Sequence, residues 1–212
     1  MGERFYATVR RLSLPLLKSW IRLEVEGLEN LPARGAVLVA ANHTSFLDPA
    51  VLGRASPRKL HFLVRNSVYR ARGLQWFFRG MDAIPVSLDA PNPAALRASL
   101  RLLREGRAVG IFPEGSRSVD GMLQPARIGV AMLAARSGCA VVPVGIRGAF
   151  ESMPMGSAFP RPGRVRVAFG PPFIPERIRG RRPAGLVEDI SRQIMAAIEQ
   201  MIREPASMET VA

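Results

Sequence analysis

Residues 35–50, GAVLVAANHTSFLDPA, are the stretch that decides the fold. The first half, GAVLVAAN, is a continuous apolar run, which is typical of a strand buried on both faces of a sheet. Asp48 and Pro49 follow with the composition of a helix start, because proline is well tolerated in the first helical turn. The stretch therefore predicts a buried strand, a short loop that carries His43, and a helix from Asp48 to about Gly53.

The alternation of strand and helix continues along the chain. Further strands are predicted at IRLEVEGL (21–28), KLHFLV (59–64), AIPV (83–86), RAVGIF (107–112), AVVPVGI (140–146) and RVRVAFG (164–170). Helices are predicted over 92–106, 125–138 and 183–204. This order predicts an α/β fold, with one domain over 21–204 and a largely parallel central sheet flanked by helices. The tail 205–212 is expected to be frayed.

The N-terminal segment, residues 1–20, has the pattern of an amphipathic helix. Its apolar residues at helical spacing are Phe5, Val9, Leu12, Leu16 and Trp20, and basic residues fill much of the rest. Pro15 predicts a kink or a split. The segment either packs on the protein's own core or lies in a membrane interface with its basic residues toward the headgroups. The overall positive charge favours the membrane interpretation.

The composition indicates an anionic partner. The net charge is +13, from 30 lysines and arginines against 17 acidic residues, and Lys18 and Lys59 are the only lysines. Such a surface suits nucleic acid, membrane headgroups or a phosphorylated substrate, although a general arginine bias would also raise the charge. The single cysteine, Cys139, excludes a disulfide framework and a cysteine-rich metal site. Without a membrane span or a secretory signal pattern, we expect a cytoplasmic location, in solution or on a membrane face.

His43 and Asp48, in NHTSFLD, are the first candidate for chemistry. An imidazole accepts a proton from a hydroxyl near neutral pH, and a carboxylate on its other nitrogen holds the required tautomer. The turn after the strand brings Asp48 back toward His43 if the two act together. The alternative is that Asp48 caps its helix and His43 is an ordinary turn residue.

The second candidate is FPEGSRS, residues 112–118, which follows another predicted strand. Ligands of α/β sheets bind where strands meet loops. Glu114 and Arg117 are presented from a turn with Ser116, and an arginine beside backbone amides is suited to clamping a phosphate. A solvated turn is the alternative.

Other patterns are weaker. His61 lies in an apolar strand and is interpreted as a core histidine, without metal-ligand spacing to His43. The sequence contains no glycine-rich nucleotide motif and no nucleophile elbow. The basic residues lack the interleaved aromatic platform of RNA-binding proteins, so no nucleic-acid partner is expected.

Taken together, these motifs resemble the 1-acylglycerol-3-phosphate acyltransferase family of the PlsC type. The resemblance covers roughly residues 22–175: NHTSFLD matches the first block of the family, FPEGSRS the third and VVPVGIRG the fourth. It implies His43 and Asp48 as the catalytic pair and Glu114, Gly115, Ser116 and Arg117 as acceptor-binding residues.

The second block of the family departs from its usual pattern. Ser87 and Leu88 stand where Asp and Arg are usual. Arg65 is the candidate for the early basic position, and Arg127 or Arg79 for the missing arginine. This departure leaves the acceptor open.

The resemblance implies that His43 activates a hydroxyl of lysophosphatidic acid, which attacks an acyl-CoA or acyl-carrier-protein thioester without an acyl-enzyme. No metal or organic cofactor is required, and residues 1–20 would dock the enzyme on the cytoplasmic face of the membrane as a peripheral protein. Two alternatives remain: the same chemistry on another lysolipid or aminolipid, and a non-catalytic basic protein that binds membrane surfaces or nucleic acid.

Overall fold

The computed structural model describes residues 2–87, 92–178, 180 and 183–203, with the backbone alone for 13–19. The strands are β1 (Ile21–Glu26), β2 (Val37–Ala41), β3 (Leu60–Arg65), β4 (Ile84–Val86), β5 (Ala108–Ile111), β6 (Ala140–Arg147) and β7 (Gly163–Phe169). The helices are α1 (Gly2–Trp20), α2 (Asp48–Ala55), α3 (Asn66–Tyr69), α4 (Gln75–Gly80), α5 (Pro93–Arg104), α6 (Ile128–Ser137), α7 (Ala149–Ser152) and α8 (Leu186–Arg203). A short 3₁₀ turn covers Leu28–Asn30.

The described strands form one sheet in the order β1-β7-β6-β2-β5-β3-β4. Each neighbouring pair is parallel except β6 and β7, which run antiparallel. The α/β fold with a largely parallel sheet is therefore confirmed. The pair β1 and β7 runs opposite to the other strands, which the sequence pattern did not predict.

Strand β2 lies at the centre and is buried along its whole length. Val37, Val39 and Ala41 face a core that includes α2, while Leu38 and Ala40 face a second core built mainly from α5, α6 and α8. Helices cover both faces, so both sets of side chains leave water. This two-sided burial explains why the strand is continuously apolar rather than alternating.

The strand directions determine which loops meet. The carboxyl ends of β2, β3, β5 and β6 lie at one edge of the sheet, called here the site edge. Since β1 runs opposite to β2, its first residue, Ile21, also lies at the site edge, and so does Trp20 at the end of α1. The N-terminal helix therefore ends on the same side of the molecule as the loop of His43.

Helix α1 packs partly on the domain. Tyr6 is buried, and its hydroxyl donates to the Gly53 carbonyl at 3.2 Å. Phe5 meets the rings of Trp76 and Phe77 in α4 edge to face. Farther along, Leu12 is 68% exposed.

Three differences from the predicted elements have a clear physical reason. Helix α1 runs unbroken through Pro15, so of the predicted kink or split the split does not occur: the lost backbone hydrogen bond does not interrupt the helix. Helix α6 begins at Ile128 and not at 125, because Arg127 is held extended by its N–H bond to the Pro113 carbonyl. Strand β1 ends at Glu26 because Gly27 has a φ of 63°, outside the strand region. The predicted tail 205–212 lies outside the described residues.

Candidate active site

His43 and Asp48 are paired across the loop that follows β2. His43 Nδ1 lies 2.8 Å from Asp48 Oδ2. A carboxylate accepts hydrogen bonds, so Nδ1 carries the proton and Nε2 keeps the lone pair that can accept one. The Asp48 side chain is fully buried, whereas that of His43 is 17% exposed. The pair has the geometry of a general base oriented by a buried carboxylate.

The same carboxylate oxygen also shapes the loop. Asp48 Oδ2 accepts the backbone N–H groups of Thr44 at 2.6 Å and Ser45 at 2.7 Å. These bonds are local, since a short polar side chain readily closes a turn onto nearby amides. At the start of α2 the N-cap residue is Leu47, without a side-chain cap. Asp48 is therefore a loop and imidazole partner rather than a simple helix cap.

The FPEGSRS turn holds the backbone of His43 from two sides. Glu114 Oε1 accepts the His43 N–H at 2.6 Å, and the His43 carbonyl accepts the Ser118 N–H at 2.8 Å. Glu114 Oε2 accepts the N–H of Gln124 at 2.9 Å. The two sequence motifs therefore form one unit, in which the turn after β5 sets the position of the histidine.

Glu114 lies inside the protein rather than being presented from the turn as the sequence analysis expected. Only 4% of the residue is exposed, because both carboxylate oxygens are drawn inward by backbone N–H donors. Burial raises the pKa of Glu114 to about 7, against the lowering effect of the bonds from Gln124 and His43. The geometry favours a role in holding His43 over direct contact with substrate.

A stack of two aromatic rings lies against one face of the His43 imidazole. The Phe112 ring lies 4.1 Å from the His43 ring, with 19° between the planes. Phe62 of β3 stacks in turn on Phe112 at 5.9 Å. These rings bury one face of the imidazole and leave it few alternative orientations. The contribution of Phe112 was missed by sequence reasoning, although the residue opens the FPEGSRS motif.

Arg117 lies beside the pair. The Cζ atom of its guanidinium lies 3.4 Å from the centroid of the Phe46 ring, in the loop of His43. Its Nη1 atom is buried and has no hydrogen-bond partner among the described residues. Burial lowers the pKa of Arg117, and the Asp48 carboxylate opposes this shift. The site thus places a cation next to the candidate general base.

Gly115 and Arg127 come together at the turn. Gly115 has a φ of 75°, and a Cβ there would lie 2.6 Å from Cδ of Arg127. The backbone conformation favours glycine, and any larger residue would also force the Arg127 side chain to move. The Gly115 N–H donates to the Phe112 carbonyl at 3.0 Å, so it is already used within the turn. Ser116 is exposed at the tip.

The other predicted binding residues lie on elements outside the two motifs. Arg65 is an exposed residue at the end of β3, on the site edge, and Arg79 is exposed on α4. Ser87 follows β4, and Leu88 lies outside the described residues. The assignment of Arg65 and Arg79 to the acceptor stays a prediction.

The second histidine and the cysteine lie in the interior. His61 is buried in β3 with Nδ1 3.2 Å from the Asp82 carbonyl oxygen, and burial lowers its pKa. Cys139 is a buried free thiol whose pKa burial raises. Among the described residues, no cluster of three or more His, Cys, Asp and Glu side chains is suited to a metal ion.

Asn42, just before His43, was also missed by sequence reasoning. Its side chain accepts the Ile146 N–H at 2.7 Å and donates to the Ile146 carbonyl at 2.9 Å. This pair of bonds ties the end of β2 to β6 where the two strands part. Its position next to a candidate histidine was the only signal available in the sequence.

Comparison with known proteins assigns the chain to a family that agrees with this fold and with the His–Asp pair. The chain belongs to the acyltransferase family, whose model, described as Acyltransferase, matches residues 22–147. This confirms the family resemblance of the sequence motifs.

Named relatives are more specific. The chain is similar to 1-acyl-sn-glycerol-3-phosphate acyltransferase of Bacillus subtilis (strain 168), with 26% identity over 71% of this chain and 73% of that protein. It is 34% identical to the chloroplastic 1-acyl-sn-glycerol-3-phosphate acyltransferase LPAT1 of Arabidopsis thaliana over 72% of this chain, but spans 44% of that protein.

A solved structure shares the fold. The 1-acyl-sn-glycerophosphate (LPA) acyltransferase PlsC from Thermotoga maritima matches with a TM-score of 0.75 and 24% identity, covering 95% of this chain and 81% of that one.

Proposed function

We propose that this protein transfers a fatty acyl group from an acyl thioester to the free hydroxyl of lysophosphatidic acid, giving phosphatidic acid. The observation that carries the proposal is the contact of His43 Nδ1 with the buried Asp48 carboxylate, beside Arg117. The names of the relatives from Bacillus subtilis and Arabidopsis thaliana agree with this acceptor.

The site geometry supports the following reaction. Nε2 of His43 takes the proton of the acceptor hydroxyl as its oxygen attacks the thioester carbonyl. Asp48 stabilises the imidazolium that forms. The C–S bond then breaks, and the departing thiolate receives the proton from His43. Arg117 binds the acceptor phosphate, and the exposed Ser116 of the same turn contributes to the binding.

Direct transfer fits the positions of two nearby serines and of the single cysteine. Ser45 Oγ donates to the Met153 carbonyl at 2.7 Å, and Ser118 Oγ donates to Asp120 Oδ1 at 2.7 Å. Cys139 is buried. None of these three groups is placed as an activated nucleophile beside the imidazole, which supports a mechanism without an acyl-enzyme.

The membrane surface supplies the lipid acceptor in this proposal. Helix α1 ends at the site edge, Leu12 and Trp20 are exposed along it, and Trp76 of the contacting helix α4 is exposed as well. With the net charge of +13, this surface suits the interface of an anionic leaflet, on which the protein would be peripheral. Among the described residues, no helix is long and apolar enough to span a bilayer.

Two points of the proposal have alternatives. The basic surface suits the phosphates of acyl-CoA and the acidic acyl-carrier protein equally. Ser87 stands at the position where the family usually has an aspartate. This departure favours a second candidate function, the same chemistry on another lysolipid or an aminolipid. A series of acceptors with and without phosphate separates the two acceptor classes.

The test is acyl transfer from a radiolabelled acyl thioester to lysophosphatidic acid in liposomes. The wild type should form phosphatidic acid, and His43→Ala should abolish it. The matched control is His61→Gln, at the only other histidine of the chain, which should retain activity. Transfer that persists in a folded His43→Ala protein would remove the histidine from its role.

A further inference from the structure

The contact between Arg117 and Phe46 joins the two motifs of the site. Cζ lies 3.4 Å from the ring centroid. If the guanidinium plane were perpendicular to the ring, at least one of its nitrogens would lie too close to the ring atoms. The two planes therefore lie face to face. Such a stack uses the π-face of the ring and does not occupy the N–H donors, which lie in the plane of the guanidinium.

Few other groups hold this guanidinium. Nη1 is buried without a hydrogen-bond partner, and no ion pair joins Arg117 to a carboxylate among the described residues. The charge of Asp48 acts on the Arg117 guanidinium. The hydrogen bonds of Asp48 Oδ2, however, all go to groups of the His43 loop. The Phe46 ring is therefore the principal contact that orients the arginine fork.

Phe46 itself is 54% exposed, which is unusual for an aromatic side chain whose role is core packing. Its backbone lies between two residues that the loop fixes tightly: Ser45, bonded to Asp48, and Leu47, whose N–H donates to Ser45 Oγ at 3.1 Å. The ring is thus an exposed group on a rigid loop, which is the arrangement needed to position a partner.

We propose that Phe46 is a positioning residue that orients the Arg117 guanidinium for bidentate binding of the phosphate monoester of the acceptor, and thereby makes the enzyme select phosphate-bearing acceptors. This inference rests on the proposed function, since it assigns the geometry of the same acceptor site. The arginine fork matches two oxygens of a phosphate only when its plane is fixed.

The experiment measures the KM for lysophosphatidic acid and, separately, for the acyl thioester, with the full chain on vesicles. Phe46→Leu keeps an apolar side chain and removes the π-face. It should raise the KM for lysophosphatidic acid by roughly threefold to thirtyfold, the range of a cation–π contact, with the KM for the thioester unchanged. Phe46→Trp, which restores a π-face, should recover most of the loss.

Two comparisons separate positioning from lipid contact. Phe159→Leu removes a ring that is 81% exposed and should leave both KM values near those of the wild type. For monoacylglycerol, which lacks the phosphate, Phe46→Leu should leave the KM unchanged. An equal effect of Phe46→Leu on both acceptors overturns the inference.

A double-mutant cycle with Arg117→Ala completes the test. If Phe46 acts through Arg117, Phe46→Leu adds almost nothing in the Arg117→Ala protein. A full additive effect there overturns the inference. If Arg117→Ala raises the KM for lysophosphatidic acid but Phe46→Leu does not, the positioning role fails while the proposed function stands. If Arg117→Ala has no effect on this KM, the phosphate assignment itself fails.

Discussion

The replacement of Asp48 by asparagine tests the dyad most directly. During the reaction His43 becomes positively charged 2.8 Å from the carboxylate. Opposite charges at this distance interact by about 6 kcal/mol at an effective dielectric constant of ~20. If Asp48→Asn removes this stabilisation, kcat should fall roughly 10⁴-fold, since about 1.4 kcal/mol corresponds to a factor of ten.

The fold should survive the change. The asparagine carbonyl can still accept the N–H groups of Thr44 and Ser45. Its amide nitrogen would take the place of Oδ1, which has no hydrogen-bond partner in the described structure. The weaker acceptor is offset by the removal of a buried charge, so we expect the free energy of unfolding to change by less than about 2 kcal/mol.

The assay is the liposome acyl transfer, with kcat measured at saturating acceptor and folding checked by circular dichroism. Asp189→Asn is the matched control, because it removes an exposed carboxylate that pairs only with Arg192 within α8. That variant should keep full activity. A folded Asp48→Asn protein whose kcat lies within about tenfold of the wild type would refute the role of Asp48.

Three further outcomes are expected. Gly115→Ala should destabilise the protein by more than Gly35→Ala. Both glycines have left-handed backbone, which alone costs an alanine about 1–2 kcal/mol. At Gly115 the added methyl also meets Arg127, whereas at Gly35 it meets open space. The pKa of Glu114 in the folded protein is raised to about 7, so between pH 4.5 and 7 the folded state binds more protons than the unfolded state. As pH rises through this range, the free energy of unfolding of the wild type should therefore fall by up to about 3 kcal/mol relative to that of the Glu114→Gln protein. Leu12→Glu should weaken binding to anionic vesicles by about tenfold to a hundredfold, since one exposed apolar side chain no longer enters the interface.

Each outcome has a direct measurement. Urea unfolding compares the two alanine variants, and equal losses would contradict the close approach of Arg127 to Gly115. Unfolding at a series of pH values follows Glu114, and a constant difference between the two proteins would contradict its raised pKa. Vesicle sedimentation follows Leu12, and unchanged binding would contradict docking through α1.

Local features of the fold followed from sequence alone. The apolar run of β2 and the Asp-Pro start of α2 depend on neighbouring residues, and both lie where predicted. The short helices α3 and α4 were not predicted, because their few residues carry no clear periodicity. The opposite direction of β1 and β7 depends on pairing between distant segments, which no local pattern encodes.

The site likewise has some features that the sequence predicted and others that only the tertiary structure reveals. Asp48 reaches His43 across a single turn, so their spacing suggested the pair, and the contact in the structure decides it against the helix-cap alternative. Glu114 was expected at the surface of its turn, yet it is buried, since the donors that draw it inward come from His43 and Gln124. The stack of Arg117 on Phe46 likewise joins loops that follow different strands.

The sequence by itself determined the α/β class through local periodicity and the family through its motifs, and it offered the His–Asp pair as one of two interpretations. Only the tertiary structure decided that the turn after β5 holds His43, that Phe112 stacks on its ring and that α1 ends at the site edge. Those relations arise when the sheet brings the carboxyl ends of separate strands together, and the order and direction of the strands are properties of the whole chain.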